Sequence, residues 1–240
     1  NYQPNHNVYA QRYDKDGQPV GAEFGADTNI AGVKEGLSIT AVNDGGFVVS
    51  WATSQQDGSG KGIYGQRFDQ DGLRVGPEFQ INTYTSSDQT ESSITALNDG
   101  GFVVSWTSFG QDGSSDAIYG QRYDANGNTY GIEFQVNNQI ANAQTQSSIT
   151  ALNDGGFVVS WTSTDQDGSG TGIYAQRFGA ELSDPIIDQI AVETVAFNFQ
   201  VQENSFIDQD VGGLLSYSAT VFDVNNNDIG LPAWLSFNTS

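Results

Sequence analysis

The stretch Asn98-Asp99-Gly100-Gly101-Phe102-Val103-Val104-Ser105-Trp106 decides the fold, because it joins a strong hairpin signal to an alternating apolar strand. Its Gly-Gly-Phe-Val-Val-Ser-Trp part returns unchanged at residues 45–51 and 155–161, so the spacing is 55 residues each time. A second marker, Tyr-x-Gln-Arg followed by Tyr or Phe, keeps the same period and begins at residues 9, 64, 119 and 174. A fixed period of this length indicates an architecture built from repeated units.

Each 55-residue unit is predicted to contain four short strands. In the third copy, residues 148–152 lead through an Asn-Asp-Gly-Gly turn into residues 157–161. A polar loop then precedes the Tyr-x-Gln-Arg strand. In the earlier copies, a second hairpin leads on to a Glu-Phe-Gln strand at 78–82 or 133–137. Because no sustained helical periodicity is present, the predicted fold class is all-β.

Alternation along the Phe-Val-Val-Ser-Trp strand assigns its two faces. Phe102, Val104 and Trp106 share one side, while Val103 and Ser105 share the other. The first side is the predicted core face, so the tryptophans are expected in the core rather than on a sugar-stacking surface. The neighbouring strand carries apolar residues on both sides, which implies a sheet covered on both faces.

The predicted repeat domain covers residues 1–179. Tandem four-stranded units are typical of a β-propeller, which closes with about four to eight blades. The chain holds only about three units of this kind. A three-fold β-prism or trefoil and a β-sandwich therefore stay open beside the propeller-like arrangement.

The charge of the chain argues against several partners. With 8 Lys plus Arg against 29 Asp plus Glu, the formal net charge is -21, so a nucleic acid would be repelled. No apolar run approaches the ~20 residues that span a bilayer, and membrane insertion is not expected. Cysteine is absent, which rules out disulfides and thiolate chemistry within this sequence.

Beyond a predicted linker at 180–184, the 55-residue pattern ends. The segments that follow in order are Asp184-Pro185-Ile186-Ile187, Ala196-Phe197-Asn198-Phe199, Asn204-Ser205-Phe206-Ile207-Asp208-Gln209-Asp210-Val211-Gly212, Leu215-Ser216-Tyr217-Ser218-Ala219 and Leu231-Pro232-Ala233-Trp234-Leu235-Ser236-Phe237. Together they resemble the dystroglycan-type cadherin-like, or "putative Ig", domains that bacteria string along surface adhesins and polysaccharide-degrading enzymes. The resemblance implies that residues 185–240 are the N-terminal part of an Ig-like β-sandwich, a fold that takes ~100 residues when complete. It also implies calcium binding, although Gly213 stands where that family carries an acidic residue.

Residues 1–179 resemble the repeats of unassigned function in large bacterial proteins of the repeats-in-toxin type. The shared stretches are Gly-Gly-Phe-Val-Val-Ser-Trp, Gln-Asp-Gly-Ser-Gly and Tyr-Gly-Gln-Arg-Phe-Asp. The resemblance implies an extracellular or cell-surface location and no particular chemistry. We expect both ends of the sequence to be interior points of a longer polypeptide, whose neighbouring domains would be its partners.

The loops that carry Asp-Gly-Ser are candidate calcium sites, because Ca²⁺ takes about six to eight oxygen ligands from carboxylates, carbonyls and water. Ordinary turn chemistry is the other explanation of the same residues. In the cadherin-like segment, three acidic residues match that family's pattern. The predicted Ca²⁺ ligands are Asp57, Asp112, Asp116, Asp165, Asp167, Glu203, Asp208 and Asp210.

Catalysis is not predicted. His6 is the only histidine and lies in an Asn-rich leader, so no Ser-His-Asp triad can form in the repeats. The acidic residues recur at equivalent positions, whereas an acid and its partner base need unlike environments. Arg67 and its counterparts at 12, 122 and 177 are predicted to pair with a turn aspartate of their own unit.

These features favour a non-catalytic, extracellular segment of a large bacterial adhesin or surface protein, stabilised by Ca²⁺. Two alternatives stay open. One is a lectin-like module that binds polysaccharide or a cell-surface glycan. The other is an accessory region of a secreted polysaccharide-active enzyme whose catalytic domain lies elsewhere.

Overall fold

The computed structural model describes residues 7–29 and 32–179, and within these ranges the backbone forms 13 β-strands and no helix. The strands are β1 (Tyr9–Tyr13), β2 (Pro19–Gly25), β3 (Lys34–Ala41), β4 (Phe47–Ser54), β5 (Lys61–Phe68), β6 (Arg74–Gln80), β7 (Gln89–Ala96), β8 (Phe102–Phe109), β9 (Asp116–Tyr123), β10 (Thr129–Gln135), β11 (Gln144–Ala151), β12 (Phe157–Thr164) and β13 (Thr171–Phe178). The all-β prediction is confirmed for this part of the chain. The predicted linker and Ig-like segment lie outside the described residues.

Every sheet is an antiparallel meander whose strands follow one another in chain order. The first and second full units are the four-stranded sheets β3-β4-β5-β6 and β7-β8-β9-β10. The third unit shows strands β11-β12-β13, and β1-β2 form a two-stranded sheet ahead of the first unit. The predicted 55-residue unit of four strands is therefore present twice in full.

The Asn-Asp-Gly-Gly turns form as the sequence predicts. Gly100 has a φ of 91°, a left-handed conformation that glycine adopts without steric cost. The next residue, Gly101, leaves no room for a side chain, because a Cβ there would lie 2.2 Å from the carbonyl oxygen of Tyr123. The Asp99 carboxylate accepts a hydrogen bond of 2.8 Å from the Gly101 amide and closes the turn.

The first strand of each unit contains a β-bulge. The residue in the left-handed conformation at the bulge is Gly36, Glu91 or Gln146, with φ values of 59°, 56° and 58°. The register shifts at the same point in all three strand pairs. A bulge bends its strand and increases the local twist, which here recurs once in each unit.

Both faces of strand β8, in the sheet of the second full unit (β7-β8-β9-β10), are buried. Phe102, Val104 and Trp106 on one side and Val103 and Ser105 on the other are each at most 1% exposed. The prediction of a sheet covered on both faces is confirmed for this unit. The tryptophans at 51, 106 and 161 are likewise buried, as expected for core residues.

Consecutive units meet through their first strands, β3, β7 and β11, which lie against one another. The Ile94 amide donates to the Ser38 hydroxyl at 3.2 Å, and the Ile149 amide donates to the Ser93 hydroxyl at 3.2 Å. Aromatic rings also pack between units, since Phe79 of the first lies 5.5 Å from Tyr123 of the second. The junction between units is therefore itself repeated.

Candidate functional site

One polar cluster recurs where the loop after the second strand of a unit meets the third and fourth strands. We call the set Gln56, Asp57, Tyr64, Glu78 and Gln80 the first loop cluster. The loop between β4 and β5 supplies the first two residues, β5 supplies Tyr64, and β6 supplies the last two. Tyr64 and Gln80 are direct cross-strand partners, so the sheet register brings the cluster together.

The second loop cluster is the same set 55 residues further along the chain. Its members are Gln111, Asp112, Tyr119, Glu133 and Gln135. In the third unit the counterparts Gln166, Asp167 and Tyr174 are present, while the positions of the fourth strand lie outside the described residues.

Glu78 joins the first loop cluster to the sheet that precedes it. One carboxylate oxygen accepts a hydrogen bond of 2.6 Å from the Gln56 side-chain amide. The other oxygen accepts from the backbone amide and the hydroxyl of Thr28, at 2.7 and 2.9 Å. Glu133 makes the same bonds to Gln111 and Thr83. Each glutamate is thus fully engaged in holding two units together.

Asp57 uses one carboxylate oxygen and leaves the other without a donor. Its Oδ1 accepts a hydrogen bond of 3.1 Å from the Ser59 amide, which is the turn that the Asp-Gly-Ser sequence predicts. Its Oδ2 is buried with no hydrogen-bond partner, and so is the Oε1 of Gln56. Gly62 on β5 leaves room for the Asp57 carboxylate, because a Cβ at this position would lie 2.7 Å from Asp57 Oδ2. Buried acceptors without donors are costly, so this position favours a bound donor or cation.

Tyr64 supplies a hydroxyl to the same place. Burial, together with the negative charges of Asp57 and Glu78, raises the pKa of Tyr64 to about 12. The hydroxyl therefore stays protonated at neutral pH and donates to Gln80 Oε1 at 3.3 Å. The Gln80 amide nitrogen is buried and has no acceptor. The first loop cluster thus holds unpaired acceptors and an unpaired donor together.

The second loop cluster is more fully paired. The Gln135 amide donates to Asp112 Oδ2 at 3.4 Å, and the Ser114 amide donates to Asp112 Oδ1 at 2.9 Å. Its Gln111 Oε1 nevertheless stays buried without a partner, as does Gln166 Oε1 of the third unit. Burial raises the pKa of Tyr119, and Asp112 and Glu133 add to that shift.

The remaining predicted Ca²⁺ ligands in the described residues take different positions. Asp116 begins β9, and burial followed by the charge of Glu91 raises the pKa of its carboxyl. Asp165 occupies a left-handed turn position with a φ of 55°, and Asp167 accepts a hydrogen bond from Ser169 at 3.1 Å. Over residues 7–29 and 32–179, no group of three or more His, Cys, Asp and Glu side chains is arranged to hold a metal ion. Glu203, Asp208 and Asp210 lie outside the described residues.

The repeated arginines are structural, as predicted. Arg67, Arg122 and Arg177 each pair with the aspartate of their own unit's Asn-Asp-Gly-Gly turn, at 2.6, 2.7 and 2.5 Å. The prediction is wrong for Arg12, which donates instead to the backbone carbonyl oxygen of Asp71 in the next unit at 2.5 Å. These contacts tie the hairpin ends of the sheets.

Sequence reasoning identified Asp57 and Asp112 but missed Gln56, Glu78 and Gln80. The missing residues lie on a loop and a strand that are about 20 positions apart, and only the sheet register unites them. A usable signal was present, because each of them recurs at a spacing of 55 residues together with its aspartate. Polar residues that keep the repeat period as strictly as the core residues therefore mark this site in the sequence.

Fold and site together define an all-β repeat protein of antiparallel four-stranded units that carry equivalent polar clusters at their junctions. Residues 180–240 match the protein family described as "Putative Ig domain". No curated protein matches the chain. In the described residues, no helix is long and apolar enough to cross a membrane.

Solved structures show weak similarity. A protein of unknown function from Dyadobacter fermentans has 10% identity and a TM-score of 0.45, with 63% of this chain and 52% of that chain covered. An endo-arabinase from Bacteroides thetaiotaomicron has 13% identity and a TM-score of 0.43, with coverages of 76% and 75%. A fucose lectin from Kordia zhangzhouensis, in complex with methyl-fucoside, has 11% identity and a TM-score of 0.38, with coverages of 62% and 99%. The chain spans about half the length of the first of these.

Proposed function

We propose that this chain is a non-catalytic, extracellular segment of a large bacterial adhesin or surface protein, that it serves as a scaffold or adhesion module, and that Ca²⁺ stabilises it. The scaffold role is supported by the strict repetition of the contacts between units. Asn43 donates to the carbonyl oxygens of Leu97 and Asn98, and Asn98 donates to those of Leu152 and Asn153. A chain whose units join in this identical way forms a stiff array that can hold other modules apart.

The proposed architecture is propeller-like, with each unit as one blade. Support comes from the adjacency of the first strands β3, β7 and β11, because the innermost strands of neighbouring blades meet in such a fold. The resemblance to repeats-in-toxin type proteins supports the extracellular location, and the family match at 180–240 supports a neighbouring Ig-like module.

The single observation that carries the calcium proposal is the buried Oδ2 of Asp57, which has no hydrogen-bond donor. A carboxylate oxygen and the neighbouring Gln56 carbonyl oxygen are the hard ligands that Ca²⁺ prefers, with water completing its shell. Both oxygens are hydrogen-bond acceptors, so they cannot bond to each other, whereas a cation can bind both. Asp112 is the corresponding ligand in the second unit, where the Gln135 amide occupies part of the same position.

Calorimetric titration of the whole chain with CaCl₂ tests this proposal. We expect heat of binding that Asp57→Asn reduces, because the substitution removes the charged ligand while keeping the side-chain shape. Asp71→Asn is the matched control, since Asp71 is an exposed aspartate in a hairpin turn of the same unit. Equal binding isotherms for the natural chain and Asp57→Asn would contradict a calcium site in the first loop cluster.

A lectin-like role is the second candidate, and the buried Gln80 amide favours it. A sugar hydroxyl both donates and accepts, and the first loop cluster offers an unpaired donor beside unpaired acceptors and the Tyr64 ring. Polysaccharide or a cell-surface glycan would be the ligand. On a glycan array, we expect signal that Asp57→Asn and Gln80→Ala abolish and Asp71→Asn leaves intact; an array without signal excludes this role for the glycans displayed.

The alternative role, as an accessory region of a secreted polysaccharide-active enzyme, would also be non-catalytic for this chain. The absence of catalysis is part of the proposal. It is supported by the recurrence of the same acids in both loop clusters, and by Glu78, whose two carboxylate oxygens are already engaged by Gln56 and Thr28. Release of reducing ends from arabinan, xylan or pectin, at a rate that Glu78→Gln or Asp57→Asn lowers by a hundredfold, would contradict the non-catalytic assignment.

A further inference from the structure

One face of the third sheet is open to solvent although the same face is buried in the two units before it. This front face consists of Val158, Ser160 and Thr162 on β12 and their direct cross-strand partners Arg177, Ala175 and Ile173 on β13. Ile173 is 76% exposed, whereas its counterparts Ile63 and Ile118 are each 0% exposed. Three copies of one position thus differ in burial and not in residue type.

In the first and second units, the next unit along the chain covers this face. Ser50 and Ser105, both 0% exposed, share a hydrogen bond with Ser92 and Ser147 of the following unit, at 3.0 and 2.9 Å. The third copy, Ser160, instead lies 3.5 Å from the carbonyl oxygen of Ser148 in its own sheet. The serine hydroxyl at this position therefore bonds to the next unit in two copies and to its own sheet in the third.

The acceptor positions of the first strand repeat in the same way. Ser38 and Ser93 each accept a hydrogen bond from a backbone amide of the next first strand, and Ser148 is the equivalent residue of β11. The front face thus carries the apolar and polar elements of an interface that the chain already makes twice.

We propose that the front face of β11, β12 and β13 is a docking surface for one further unit of the same 55-residue type. The expected partner presents a first strand with serine hydroxyls and free amides to Ser160 and Ser148, and a Phe-x-Val-x-Trp strand that covers Ile173. The continuity of this surface with the two established junctions, in residue type and register, identifies the occupant. The first full unit of a second copy fits this surface less well, because Leu37 stands at the position of Ser92 and Ser147, and its Trp51 is already packed in a cluster with Val8 and Phe24.

The proposal is tested by adding the missing partner to the whole chain. Because Tyr123 and Phe178 are equivalent, a copy of residues 124–178 inserted directly after Phe178 adds one unit in register. Ile173→Lys is then measured in both chains by thermal unfolding. We expect no change in the melting temperature of the natural chain and a drop of at least about 5 °C in the extended chain, since Lys would be buried without a partner.

Two controls make each outcome decisive. Ile118→Lys in the natural chain gives the cost at an established junction, and a copy of residues 69–123 inserted after Tyr123 shows that an added unit is tolerated between two others. The proposal is overturned if Ile173→Lys is neutral in the extended chain, or if the extended chain loses cooperative unfolding while the internally extended chain keeps it. It is also overturned if Ile173→Lys costs as much as Ile118→Lys in the natural chain, because residues 180–240 or a second copy would then already cover the face.

Discussion

The ammonium group of Lys34 lies 3.3 Å from the Asp27 carboxylate, with both side chains almost fully buried. One repeat further along, the same two positions hold Asn82 and Gln89, which share a neutral hydrogen bond of 3.0 Å, and the next repeat holds Asn137 and Gln144 at the same distance. Within the described residues, a single buried contact therefore occurs in one ionic and two neutral versions. Asp27 also accepts a hydrogen bond from the Val8 amide, as Asn82 does from Ile63.

This pair predicts a strong non-additivity. Lys34→Gln alone leaves the Asp27 charge buried without its counter-ion, and such losses cost about 3–5 kcal/mol of unfolding free energy. Asp27→Asn together with Lys34→Gln recreates the neutral contact of the other units, and we expect its unfolding free energy to lie within about 1 kcal/mol of the natural chain. Urea unfolding of the single and double variants measures both values. A double variant as unstable as either single one would show that the ionic pair has a role that the neutral pair cannot fill.

The Asp116 carboxyl is predicted to destabilise the folded protein more strongly as pH rises. Burial, followed by the charge of Glu91, raises its carboxyl pKa in the folded state, so the folded protein holds this proton more tightly than the unfolded chain does. Stability from this group is full below the unfolded pKa of about 3.9 and is lost as pH rises through the folded value. We therefore expect Asp116→Asn to raise the melting temperature at pH 7 and to leave it unchanged at pH 3.

Asp154 predicts the opposite behaviour and serves as the control for Asp116. Hydrogen bonds from the Gly156 amide and from Arg177 lower its carboxyl pKa in the folded state. Its contribution is therefore present above the unfolded pKa and is lost as pH falls through the folded one. Asp154→Asn should lower the melting temperature at pH 7, and the loss should shrink as pH falls below the unfolded pKa. Parallel pH profiles for the two variants would contradict the assigned environments.

The Asp57 charge should be detectable at the Tyr64 ring. Burial is the main cause of the pKa of about 12, and the charges of Asp57 and Glu78 add to it. We expect Asp57→Asn to lower the Tyr64 pKa part of the way towards its ordinary value, while Asp112→Asn lowers that of Tyr119 and leaves Tyr64 unchanged. NMR titration of ring-labelled tyrosine measures both. A Tyr64 pKa that Asp57→Asn leaves unchanged would contradict the placement of the Asp57 carboxylate close to the Tyr64 ring.

The sequence predicted the repeated elements well, because local signals determine them. Alternation placed Trp106 in the core, the Asn-Asp-Gly-Gly sequence predicted the hairpin turn that contains Gly100, and a repeated arginine among many acids predicted a pair with a turn aspartate, which for Arg122 is Asp99. These features depend on residues that are close in sequence or adjacent in a hairpin. Periodicity alone is enough to find them.

Features that depend on long-range register were not predicted. The left-handed bulge falls on Gly36 in one unit and on Glu91 in the next, so no residue type marks it. The bond between Glu78 and Thr28 joins residues that are 50 positions apart. Likewise, the place of Asp27 beside Lys34 follows from the folded sheet, although their replacement by amides in the later repeats was visible in the sequence.

The most direct test of the account is whether Ca²⁺ stabilises the chain beyond its effect on ionic strength. A ligand that binds only the folded state stabilises it by about 2.7 kcal/mol per site at a hundredfold excess over Kd, whereas screening of the net charge of -21 is reproduced by monovalent salt. We predict that millimolar CaCl₂ raises the melting temperature well above that in EGTA and in NaCl of matched ionic strength, and that Asp57→Ala with Asp112→Ala removes part of this rise. Superimposable melting curves in CaCl₂, EGTA and NaCl would contradict the account and leave the Asp-Gly-Ser loops as turns alone.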